Sequence, residues 1–152
     1  MKELIINQSQ VDSIKQQFKN NEQVIEQYTS EALESEKNAK IFNRCWHECQ
    51  SNDLRDIMYN KVIKELNHAT ELHKKARVLN NINFILYDLT FENTILESTY
   101  RVIETEITFK NINKDEAEFI YNQVESTLSY AGIECGEVLQ ELANVLKVDL
   151  VA

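Results

Sequence analysis

Cys45-Trp46-His47-Glu48-Cys49 gathers two thiols, an imidazole and a carboxylate within five residues, the donor types from which zinc sites are built. On a helix, Cys45 and Cys49 share a face, but His47 lies about 200° round from Cys45 at roughly 100° per residue, so the three cannot close on one ion. Cys49 continues an apolar row and Cys45 borders it, a common place for a free cysteine packed as a small hydrophobe. A metal there needs His68 or His73 from a facing helix. The sequence therefore assigns no metal, with Cys45, Cys49 and His68 as the residues to watch. Glu65-Leu66-Asn67-His68 is one Glu-x-x-His element of the kind that helical bundles use in pairs for di-iron or di-manganese centres. Arg44 stands three residues before His47 and Thr70 three before His73, so the second element is missing.

Two acidic pairs follow the same one-turn spacing, Glu31-Ala32-Leu33-Glu34 and Asp53-Leu54-Arg55-Asp56. Together these eight residues resemble the paired acidic elements of helical nucleotide pyrophosphohydrolases, in which carboxylates on adjacent helices hold Mg²⁺ against a polyphosphate. The resemblance implies a helical Mg-dependent nucleotide hydrolase as the alternative to a binding protein, and it departs from that family at Asp53, where the second element begins with Glu. Other catalytic templates fail. Gly132 and Gly136 flank Ile133-Glu134-Cys135 without a lysine or a strand–loop–helix, which excludes the familiar backbone phosphate cradles, and no G-x-S-x-G exists. Glu134 and Glu137 beside Cys135 disfavour the thiolate that a nucleophile requires. No cofactor is expected.

The elements that must position these residues are helical. Ile25, Tyr28, Ala32, Ala39, Phe42, Trp46 and Cys49 recur at three- and four-residue steps, broken only by Ser35, and Ser51-Asn52-Asp53 then supplies a turn. A second row runs through Leu54, Met58, Val62, Leu66, Ala69, Leu72, Ala76 and Leu79, so the two stretches should form a long antiparallel hairpin. Upstream, Leu4-Ile5-Ile6 suits an edge strand, Ser9-x-x-Asp12 resembles a capping box for a helix bearing Val11, Ile14 and Phe18, and Asn20-Asn21 should interrupt that helix. Asn80-Asn81 should end the hairpin's second arm. Residues 84–110 fit either helix or a small β-hairpin, because Ile103, Thr105, Ile107 and Phe109 alternate with polar residues. Downstream, Asn113-x-x-Glu116 caps a helix carrying Ala117, Ile120, Val124, Leu128 and Ala131, Gly132 stops it, and Val138, Leu139, Leu142, Val145 and Leu146 mark a last helix. The fold class is mostly α, with an α+β alternative, and no linker divides residues 1–152 into domains.

Among 152 residues, 16 Lys and Arg face 25 Asp and Glu, a net charge of −9, of which residues 77–152 carry −8. That excess disfavours direct nucleic-acid binding. Glu104, Glu106, Asp115, Glu116, Glu118 and Glu125 form a candidate acidic face for a partner's basic surface, and Ile25, Tyr28, Phe42 and Trp46 a candidate interface stripe. Three cysteines at uneven spacing, no signal-like N-terminus and no apolar run of membrane-spanning length point to the cytoplasm. With no catalytic motif and two long stripes, the expectation is a non-enzymatic, homo-oligomeric interaction protein. It would bind another protein and modulate or inhibit it, as inhibitors, immunity proteins and phage or mobile-element accessory factors do.

Overall fold

The computed structural model describes residues 3–89, 94–96, 112–134 and 136–147. Its elements run β1 (Glu3–Ile5), α1 (Gln8–Glu48), α2 (Asn52–Leu89), β2 (Thr94–Leu96), α3 (Lys114–Tyr130) and α4 (Gly136–Leu146). Helix dominates, as the periodicity requires. Contacts partition the chain into one unit of Met1–Glu22 with Val78–Ala152 and another of Gln23–Arg77. No Pro- or Gly-rich linker marks this division because α1 and α2 both run through it as unbroken helix.

The unit of Gln23–Arg77 is the expected antiparallel hairpin. The turn is short: Cys49 N–H bonds Cys45 O at 2.9 Å as α1 ends, and the Ser51 carbonyl accepts from Arg55 N–H at 3.0 Å as α2 begins. Ala32, Ala69 and Leu72 make the buried seam, with Tyr28 packed against them. Ser35, Ala39 and Ala76 are buried as well. Side chains this small let two helices come close, but each removes little apolar area from water.

The other unit holds the larger core. Ile6, Val11 and Ile14 from the start of the chain meet Val78, Ile82, Ile85 and Leu86 of α2, and α3 and α4 add Ile120, Val124, Leu128 and Leu142. β1 pairs antiparallel with β2 in the register Glu3↔Leu96, Leu4↔Ile95, Ile5↔Thr94.

Three expectations are corrected at the local level, and one open alternative is decided for residues 84–89. The capping box of α1 lies two residues earlier than Ser9-x-x-Asp12: Asn7 Oδ1 accepts from Gln10 N–H at 2.9 Å, and Gln10 Oε1 accepts from Asn7 N–H at 2.9 Å. Gln at the third helical position reaches back one bond further than Asp, which is what the reciprocal box needs. Asn20-Asn21 does not interrupt α1. Asn21 is buried and donates to Asn83 Oδ1 at 2.9 Å, Gln17 donates to Asn21 Oδ1 at 3.0 Å, and Asn83 donates to the Phe18 carbonyl at 3.2 Å. Asn80-Asn81 does not end α2 either, for Asn81 and Asn83 are buried with Ile82 and tertiary burial overrides a weak propensity. Residues 84–89 are therefore helix, while β2 pairs with β1 and the rest of the proposed β-hairpin over 84–110 lies outside the described residues.

The ends of α3 follow the sequence closely. Asn113 Oδ1 accepts from Glu116 N–H at 2.8 Å, and Asn113 Nδ2 donates back to the Glu116 carboxylate. At the far end Gly132 adopts φ +75°, Ile133 N–H bonds Leu128 O at 3.0 Å and Gly132 N–H bonds Ser129 O at 2.9 Å. Leu128 and Ile133 both enter the core, completing a Schellman stop with its apolar contact.

Asn83→Ala is expected to cost about 1–3 kcal/mol in urea unfolding, because it strands the buried Asn21 amide. The paired Asn21→Leu, Asn83→Leu variant removes both amides and is expected to recover at least half of that loss.

Candidate functional site

The hairpin register is marked by cations of α2 seated over rings of α1. Arg55 lies 4.9 Å from the Trp46 ring centroid, Lys61 lies 5.2 Å from Phe42 and Lys75 lies 5.8 Å from Tyr28. Near His73, Nε2 meets Glu36 Oε1 at 2.7 Å. Ammonium and guanidinium groups over aromatic faces are worth about 0.5–1 kcal/mol each at such exposed sites.

This register decides the fate of the candidate clusters. Asp56 stands level with about residue 47 of α1, so Glu34 is some thirteen residues away, roughly 20 Å at 1.5 Å per residue. Glu31 and Glu34 are thus not brought to Asp53 and Asp56, and the arrangement needed to clamp Mg²⁺ is not formed. Cys45 and Cys49 are half-buried free thiols near the turn. His68 is exposed and lies several helical turns from them along the hairpin. His47 stacks edge-on with Trp46, centroids 4.7 Å apart. Among the described residues, no group of three or more His, Cys, Asp or Glu stands close enough to hold a metal ion.

The interface stripe is placed differently from a free face. Tyr28 packs on the seam, and Ile25, Phe42 and Trp46 are half-buried, the two rings lying beneath cations of the same hairpin. Of the acidic face, Glu104 and Glu106 lie outside the described residues. Asp115 and Glu116 occupy the first turn of α3, where carboxylates favour the positive end of the helix dipole, and Glu116 is engaged in the cap. Asp115, Glu118 and Glu125 fall on the side of α3 opposite Ile120 and Val124, with Asp115 and Glu125 exposed and Glu118 half-buried.

The sequence reading missed another set. Leu33, Ile41, Leu54, Ile57, Tyr59, Ile63 and Leu66 are between 40% and 57% exposed, and all seven belong to the hairpin. Leu54 and Leu66 were expected inside. Leu54 keeps the phase of buried Leu72, five full turns away, but lies in the first turn of α2 beside the hairpin turn, whereas Leu66 stands well round the helix from the buried Ala69 and Leu72. A count of all heptad rows on α2 reveals the second one, Tyr59, Ile63 and Leu66, at steps of four and three.

In the other unit, Ser13, Gln16, Gln17, Asn20, Gln123, Ser126, Thr127 and Tyr130 line an open cleft of about 490 Å³. Its lining is uncharged, and several of its polar groups bond within their own helices, Gln16 to Asn20 at 3.0 Å and Thr127 Oγ1 to Gln123 O at 2.7 Å. Comparison with protein-family models, with characterised proteins and with solved structures finds no match to this chain. Among the described residues, no helix is long and apolar enough to cross a membrane.

Zinc titration followed by calorimetry checks the cysteine placement. Wild type and a Cys45→Ser, Cys49→Ser variant are expected to behave alike, with no stoichiometric uptake and melting temperatures within a few degrees. Tight uptake lost in the variant would refute that placement.

Proposed function

We propose that this chain is a non-enzymatic, acidic interaction protein that binds another macromolecule and modulates or inhibits it, using the hairpin of residues 23–77 as its docking arm. The observation that carries the reading is the set of seven large apolar side chains exposed on that hairpin. Soluble proteins rarely leave large apolar surface uncovered without an interaction to cover it. The seam of Ala32, Ala69 and Leu72 does not cover these residues, so a two-helix arm of this composition is best satisfied by contact with a partner.

The charge balance favours a partner of opposite sign. A net charge of −9, with Asp115, Glu118 and Glu125 along one side of α3, suits a protein with a basic surface, and raising ionic strength should weaken the complex. Inhibitors and immunity-type proteins work by such occupation of another protein's surface.

Native mass spectrometry of the protein recovered gently from its own host tests the proposal. Wild type is expected to carry a second, different protein. Leu33→Glu with Ile41→Glu should reduce that species at least about tenfold while the circular dichroism stays helical, since two carboxylates would have to be buried on binding. A bare chain, or one carrying only a nucleotide or metal, would overturn the proposal.

A further inference from the structure

We propose that the α2 face bearing Tyr59, Ile63 and Leu66 docks on α2 of a second copy, laid antiparallel across a two-fold axis at Ile63. The proposal rests on reading the hairpin as a docking arm and specifies what covers one of its faces. The three side chains lie about 110° round α2 from the seam, at 100° per residue, so they are unavailable to α1 of the same hairpin. Their spacing is self-complementary. With Ile63 facing its own copy, Tyr59 meets the partner's Leu66 and Leu66 meets the partner's Tyr59.

The flanking polar residues obey the same symmetry. In an antiparallel pair, residues on one flank meet the same flank of the partner, so Asn60 faces the partner's Asn67 and Asp53 faces the partner's Lys74. All four are exposed. Lys74 meets Glu71 of its own helix at 3.6 Å, both well exposed, a contact weak enough to be exchanged. Charge supports self-association more broadly. Residues 52–74 hold four cations (Arg55, Lys61, Lys64, Lys74) and four acids (Asp53, Asp56, Glu65, Glu71), so this segment is neutral in a chain of net charge −9. Two copies can therefore meet here without the repulsion that acidic surfaces would impose.

The contact is modest in size. A 23-residue helix is about 34 Å long and about 10 Å wide, which is roughly half of the ~800 Å² per partner in a standard interface. A reversible, concentration-dependent dimer follows.

Sedimentation equilibrium of the full chain across the micromolar range tests this. Wild type should pass from monomer to dimer, and Ile63→Glu should remain monomeric. Asp53→Lys and Lys74→Asp should each weaken association by about tenfold, since every reversal acts twice across the axis, and combining them should restore it. Because Asp53 and Lys74 are exposed, these variants keep the fold and the proposal stays testable even if Ile63→Glu unfolds the arm. A wild type that stays monomeric, or a dimer indifferent to both reversals, overturns the proposal. Neither result touches the docking-arm reading, which is decided separately by the Leu33→Glu, Ile41→Glu comparison.

Discussion

Ala32 and Ala69 meet with almost no exposed surface, and their smallness sets how closely α1 and α2 approach in the hairpin. Much else in this half of the molecule depends on that choice. Close helices place the charged groups of Arg55, Lys61 and Lys75 over the rings of Trp46, Phe42 and Tyr28. Leu33, Ile41, Tyr59 and Ile63 stay exposed outside this narrow seam. Alanine thus holds the helices together over a narrow line, while the larger apolar residues stand on other faces of the arm.

The other unit solves the burial problem in the opposite way. Four helical segments converge on branched side chains, with Ile82, Ile85, Leu86, Ile120, Val124, Leu128 and Leu142 all nearly or fully buried. Within this core the Asn21–Asn83 bond is a polar exception with a specific geometry. A slip of one helical turn between these segments would leave two amides in apolar surroundings, so the pair favours one register over its neighbours. The apolar residues around it, which interchange more freely, could not impose that choice alone.

The heptad rows made the two long helices and their antiparallel pairing legible, and Asn113, Glu116 and Gly132 marked the ends of α3 by their local chemistry. What misled was asparagine. At Asn20-Asn21 and Asn80-Asn81 its weak helix propensity suggested breaks, yet Asn21 is bonded to Asn83, 62 residues away, and Asn81 is buried beside Ile82, long-range features that no local pattern displays. The candidate site was less legible than the fold. Spacing alone made Glu31, Glu34, Asp53 and Asp56 look like one cluster, and only the register of the hairpin separates them. Leu54 and Leu66 were misplaced for a related reason: periodicity finds a face but cannot say where a seam of small residues stops needing more.

Trp46 is the sole tryptophan of the chain, and it stands beside the hairpin turn with Arg55 over one face and His47 at its edge. Its fluorescence is therefore a private signal of the hairpin, silent about the core built on Ile120 and Leu128. Far-ultraviolet ellipticity, in contrast, sums over every helix. The molecule carries within itself the two optical channels needed to ask whether its thin-seamed arm and its well-filled core melt as one cooperative body or as two.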